Sequence, residues 1–174
     1  MYSDQELLAA VVEGCTSSFT ELYEKYKVRV HRFALSRLQD AELASDCLQE
    51  TFLTVWKSAA SFAGESTVST WLFGIALNKI RETRRKHPQT ESLYGGLQHR
   101  SEGQHSEPSD ERLTVLSAVR ALPAEQQEVV LLAYYAGVPY REIAKLQGVP
   151  VGTVKSRMFL AKRGLMATLQ EGKI

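Results

Sequence analysis

Apolar residues recur at three- and four-residue steps along most of this chain, and that period restricts it to helices. The clearest run is Phe19, Leu22, Tyr23, Tyr26, Val30, Phe33 and Ala34, one stripe along a long helix. Before it, Ser3 and Glu6 have the spacing of a capping box. Leu7, Leu8, Val11 and Val12 then make a short helix ending near Gly14. Ser18 and Glu21 repeat the box at the head of the long helix. A third helix carries Ala44, Cys47, Leu48, Thr51, Phe52, Val55, Trp56 and Ala59. Residues 61–70 hold turn residues and read as a short loop. A fourth helix carries Val68, Trp71, Leu72, Ile75, Ala76 and Ile80, and runs out into Arg84, Arg85 and Lys86 before Pro88 stops it. No strand-type alternation occurs.

The pattern lapses between residues 88 and 108, which are rich in Gln, Ser, Gly, Glu and His. Such a segment buries too little surface to offset its ordering entropy, so it reads as a linker. Helical spacing resumes near Ser109 with Leu113, Leu116, Val119 and Leu122. Pro123 suits a first helical turn, and Val129, Leu131, Leu132 and Tyr135 continue a helix to Gly137. Pro139 and Pro150 open two more helices, the last running to about Leu169. The expected fold is all-α, with two small helical domains at 1–87 and 109–174 joined by a flexible linker at 88–108.

Several function classes are excluded. The 174 residues are 44% hydrophobic with a net charge of +1, as in an ordinary soluble protein. No apolar run nears the ~20 residues of a membrane span, and no secretory signal pattern opens the chain, so a cytoplasmic location is expected. Cys15 and Cys47 are too separate for a disulfide framework or zinc set, and Cys47 reads as a buried thiol. His87, His99 and His105 show no ligand spacing on a fixed element, so no metal site is expected. There is no Gly-rich phosphate loop and no nucleophile with a matched base. The chain therefore reads as no enzyme, with no catalytic residues, cofactor or small-molecule substrate. Charge is nevertheless uneven. It is negative at Asp40, Glu42, Asp46 and Glu50, and positive at Lys79, Arg81, Arg84, Arg85 and Lys86. It is positive again at Lys155, Arg157, Lys162 and Arg163. Two contacts with an anionic partner would explain this, but on charge alone two solvated helix faces explain it better.

The stretch from Tyr140 to Leu165 decides between them. Ala144, Gly148 and Val154 have the spacing of a helix-turn-helix. The small Ala permits a close crossing, Gly permits the left-handed turn, and Ile143 and Val154 pack between the helices. The second helix then presents Thr153, Lys155, Ser156, Arg157 and Phe159 where a major-groove reader puts its side chains, with Lys162 and Arg163 further along toward phosphates. A plain helical hairpin with a basic face is the bland alternative, and the pattern fits many regulators.

The run Gly152-Thr153-Val154-Lys155-Ser156-Arg157, after Tyr140-Arg141-Glu142-Ile143-Ala144, closely resembles region four of bacterial sigma factors. So does Leu122-Pro123-Ala124-Glu125-Gln126-Gln127-Glu128-Val129 ahead of it. Independently, Asp46-Cys47-Leu48-Gln49-Glu50-Thr51-Phe52-Leu53 with Trp56 resembles the region-two signature. Phe62-Ala63-Gly64-Glu65-Ser66, followed by Thr70-Trp71-Leu72 and Ile75-Ala76-Leu77-Asn78, resembles the segment that reads the minus-ten element. Lacking region-one and region-three blocks, the chain resembles the extracytoplasmic-function (ECF) group.

The resemblance implies two all-helical domains that bind core RNA polymerase and promoter DNA. It assigns core binding to Asp46, Gln49, Glu50 and Leu53, an acidic and amide-bearing face with one apolar element. It assigns minus-ten contacts to Phe62, Gly64, Glu65, Ser66, Asn78, Lys79, Arg81, Arg84 and Arg85, and minus-thirty-five contacts to Thr153 through Arg163 as named above. Phe62 is either a base-stacking ring or a loop anchor, whereas Phe52, Val55 and Trp56 read as core. The family also implies an anti-sigma factor, often membrane-bound. Two positions depart from the family pattern: Pro139 stands where a serine is usual, and Leu160 where an arginine is. A stand-alone helix-turn-helix regulator is the alternative, but it leaves the 46–56 and 64–71 patterns unexplained.

Overall fold

The computed structural model describes residues 2–88, 115 and 117–171. From residue 89 onward the linker lies outside them, as do Leu113 and Leu116. All regular structure among the described residues is helical.

The N-terminal half holds α1 (Asp4–Val12), α2 (Thr16–Leu38), α3 (Ala41–Ser58) and α4 (Val68–Lys86), with a 3₁₀ turn at Ala59–Ser61. The expected box closes α1: the Glu6 amide donates to Ser3 Oγ at 3.3 Å, and the Ser3 amide to Glu6 Oε2 at 2.7 Å. The second box does not form. Helix α2 starts earlier, at Thr16, and Ser18 instead donates to Cys15 Sγ at 3.3 Å. Gln39 and Asp40 join α2 to α3. Gln39 takes the left-handed conformation, with φ 56°, and Asp40 caps α3 by accepting from the Leu43 amide at 2.9 Å. Thr67 caps α4 by accepting from the Thr70 amide at 3.1 Å, so the preceding loop is shorter than its turn residues suggest.

The stripe on α2 is the centre of this half. Leu22, Tyr26, Val30, Phe33 and Ala34 are all buried. Phe33 meets Phe73 of α4 edge-to-face, with ring centres 5.6 Å apart, and Tyr26 meets the same ring at 6.5 Å. Phe19 and Tyr23 likewise meet Phe52 of α3. The Tyr26 hydroxyl reaches down to Asp4 of α1. Burial, with that carboxylate beside it, pushes the phenol up to about 12.

The C-terminal half has α5 (Ala124–Tyr134), α6 (Tyr140–Gln147) and α7 (Val151–Glu171), preceded by helical residues at 117–120. Val129, Leu131, Leu132, Ile143, Val154, Met158 and Ala161 form its core.

The cysteines occupy opposite environments. Cys47 is buried, and desolvation pushes its thiol up to about 11. Cys15 sits at the N-terminus of α2, where hydrogen bonds from Ser17 and Ser18 hold its thiol down to about 7. Near neutral pH, iodoacetamide should therefore alkylate Cys15 rapidly and Cys47 only after denaturation. Peptide mass spectrometry reads this directly, and equal labelling of both would contradict the two assignments.

Candidate nucleic-acid and polymerase interfaces

Helices α6 and α7 cross as the spacing requires. Ile143 and Val154 are buried completely between them, and Ala144 nearly so. Gly148 closes the turn with φ 65°, a conformation that suits a residue without Cβ. The Val149 amide donates back to the Ala144 carbonyl at 3.0 Å. Pro139 precedes α6 with no side-chain cap.

This turn leaves one face of α7 to solvent. Lys155, Ser156, Phe159, Leu160, Lys162 and Arg163 are exposed, and Thr153 is half-buried. Phe159, 61% exposed, lies under the Arg163 guanidinium at 5.9 Å. Ser156 Oγ donates to the Gly152 carbonyl at 3.0 Å. Arg157 differs from its neighbours: it is half-buried and its Nη1 donates to Gln147 Oε1 at 2.9 Å.

On α3, Asp46, Gln49, Glu50 and Leu53 all lie exposed, each about one helical turn or less from the next along one face. Leu53 is 51% exposed. Phe52 and Val55 are buried as expected, but Trp56 is not. It is 38% exposed and lies on the rim of the core, its ring edge-on to Phe19 at 5.1 Å. Trp56 stands one turn from Phe52 and Leu53, and the stripe and the exposed face share this border.

In the loop, Ala63, Gly64 and Glu65 are exposed and Ser66 is half-buried. Phe62 packs against Trp71 with ring centres 5.4 Å apart, which favours the anchoring role. Along α4, Asn78 and Arg85 are exposed, while Lys79 and Arg84 are half-buried. Lys79 pairs with Glu82 at 3.4 Å. Arg81 crosses to the other half of the chain: its Nη2 lies 3.0 Å from Glu128 Oε1, and its Nη1 donates to the Leu146 carbonyl at 3.3 Å. Gln147 Nε2 donates to the same Glu128 oxygen at 3.0 Å.

Arg37 and Glu128, which close this cluster, were not among the expected site residues. Each stands on an apolar stripe of its own helix: Arg37 four residues after Phe33, Glu128 three and four before Leu131 and Leu132. Opposite charges at core positions of two helices were the available signal. Burial pushes the Arg37 guanidinium down from its ordinary value, Glu128 opposes this, and Arg84 and Arg81 add to it.

Among the described residues there is no group of acidic, His or Cys side chains able to hold a metal ion. Nor is any helix there long and apolar enough to cross a membrane.

A helical half with an exposed acidic face on α3, followed by a helix-turn-helix whose second helix carries exposed basic residues, is the architecture of a two-part helix-turn-helix protein. Residues 22–89 match the family model for sigma-70 region 2, and residues 112–165 the model for sigma-70 region 4. The chain is 29% identical to the RNA polymerase sigma-H factor of Pseudomonas aeruginosa, over 96% of this chain and 94% of that protein. It is 31% identical to the ECF RNA polymerase sigma factor SigM of Mycobacterium tuberculosis, over 96% and 85%. CnrH, in complex with the cytosolic domain of CnrY, superposes with a TM-score of 0.71 at 25% identity, over 97% of each chain. RpoE of Bartonella quintana, in complex with the anti-sigma factor NepR, does so at 0.68 and 25%, over 87% and 96%. The chain belongs to the ECF RNA polymerase sigma factors.

Proposed function

We propose that the chain directs core RNA polymerase to promoters, with the work divided between its two halves. Asp46, Gln49, Glu50 and Leu53 dock α3 on the polymerase. The loop from Phe62 to Ser66 captures a flipped base of the minus-ten element, Phe62 holding the loop against Trp71 while exposed Gly64 and Glu65 meet the base edge. Asn78, Lys79, Arg81, Arg84 and Arg85 of α4 hold the separating strands through phosphates. The α7 face from Thr153 to Arg163 enters the major groove of the minus-thirty-five element.

The observation that carries this reading is the exposed face of α3. Acidic and amide groups around a bare leucine, one helical turn from a half-exposed tryptophan, suit a mixed interface with a basic partner helix. A stand-alone regulator would have no use for it. Binding energy drives strand separation, so this chain performs no catalysis and takes no cofactor or small-molecule substrate. It acts in the cytoplasm. Its units are residues 1–87 and 109–174, joined through 88–108. By analogy with the NepR complex, an anti-sigma factor holds it inactive.

Co-purification with core polymerase tests this. The chain should bind core strongly and duplex promoter DNA weakly by itself. Tight binding to duplex together with failure to bind core would overturn the reading in favour of a stand-alone regulator.

A further inference from the structure

The solvent face of α7 carries an aliphatic side chain where a reading helix is expected to be polar. Val154, Met158 and Ala161 are buried, so residues on the opposite side of the helix turn away from the core. Thr153, Ser156, Leu160 and Arg163 lie there in steps of three and four residues, one ridge along the helix. Lys155 and Lys162 stand exposed beside it. Leu160 is 48% exposed in the middle of this ridge. A bare leucine is ordinary on a protein surface, but this one has a particular place. Thr153, Ser156 and Leu160 have the i, i+3, i+7 spacing of base-reading residues on a helix laid in the major groove. Phe159 is also exposed, but its ring already has a partner in the Arg163 guanidinium.

In the major groove each base pair offers a different set of groups, and thymine alone offers a methyl. A leucine set against guanine, adenine or cytosine strips water from a polar edge and returns no hydrogen bond. Against the thymine methyl it covers apolar surface without that cost. We propose that Leu160 is a specificity-determining residue, which reads the C5-methyl of a thymine in the minus-thirty-five element while the cations around it hold the backbone. The inference rests on the reading of α7 as the groove-binding helix. One buried methyl group is the whole signal, so the discrimination it supplies is about fourfold.

The test uses the chain bound to core polymerase. Selection from a pool of duplexes randomised in the minus-thirty-five element should return a thymine, on either strand, at one or more positions. Each is then replaced by deoxyuridine, which lacks only the methyl. At one of them the replacement should weaken wild-type binding about fourfold, and the Leu160→Ala variant should bind both duplexes equally. Leu160→Arg should turn the preference at that pair to guanine, whose O6 and N7 a guanidinium bonds together. Leu160 is at the surface, so neither variant should change the helix content seen by circular dichroism. If one does, the other decides.

A selected element without thymine would overturn the proposal, as would deoxyuridine without effect at every position. A methyl effect that persists in Leu160→Ala would pass the role to a neighbour such as Phe159. Loss of core binding in Leu160→Ala would make this face a protein contact, and would overturn the proposal too. Failure of the underlying reading looks different. Lys155→Ala with Arg157→Ala would then leave affinity for the element unchanged, whereas failure of the Leu160 assignment alone leaves that double variant weak.

Discussion

Lys155→Ala combined with Arg157→Ala should lower promoter affinity of the polymerase-bound chain by about two orders of magnitude or more, each contact being worth roughly 1–3 kcal/mol. Lys155 is exposed near the start of α7, and Arg157 is two residues further on. Each neutralised phosphate contributes a slope of about −0.9 to the dependence of log affinity on log salt, so the slope should flatten by nearly 2. The measurement belongs on the holoenzyme, because Arg157 is engaged by Gln147 in the free chain. Neither side chain is in the core, so the melting temperature should change little. Unchanged affinity and slope would remove α7 from the groove.

The largest loss of stability should come from Phe73→Ala. Phe73 is completely buried, and its ring is met edge-on by both Phe33 and Tyr26. Emptying such a site costs about 3–5 kcal/mol, from lost transfer energy and the cavity that remains. For a chain of this size that lowers Tm by about 6–20 °C. The damage should extend past the N-terminal core. The Arg29 guanidinium lies 5.6 Å over the Phe73 ring while its Nε donates to the Tyr135 carbonyl. Losing the ring loosens a contact between halves as well as one within a half. Calorimetry checks the first effect and scattering the second. A variant with wild-type Tm would show that the core repacks around the gap.

Much of this was legible from residue spacing. Of the residues marked by the three- and four-residue steps on α2, Leu22, Tyr26, Val30, Phe33 and Ala34 are buried and Phe19 and Tyr23 half-buried at the edge of the core, and Ala144, Gly148 and Val154 mark a turn built as they require. Helix starts were less legible. Ser18 has the spacing of a cap, but the helix runs through it because Thr16 already continues the turn begun at Cys15. The N-terminal half of α4 was read as a one-sided stripe. Phe73, Gly74 and Leu77 lie off that stripe and are buried too, since α2 packs on one side and Leu146 comes up on another. A period reports how many faces of a helix are apolar, but not which distant segment covers a glycine. The exposed residues of α3 and α7 were legible as surface, and their partners only through resemblance. Arg81 is solvent-facing as its place in the sequence suggests, with its side chain 46% exposed, yet it also reaches a buried carboxylate 47 positions away; sequence shows a charge but not the partner it finds.

The ion cluster at the seam between the halves, Arg37, Glu128 and Arg81, also bears on how such a chain could be engineered or could drift. Apolar side chains of similar volume often match or exceed a buried ion cluster in stability. Leucine and methionine in place of Arg37, Glu128 and Arg81 would make the halves adhere more firmly, and any screen for thermal resistance would select them. Such a chain would gain heat resistance at the seam and lose freedom of movement there, so stability and mobility trade against each other at these three positions.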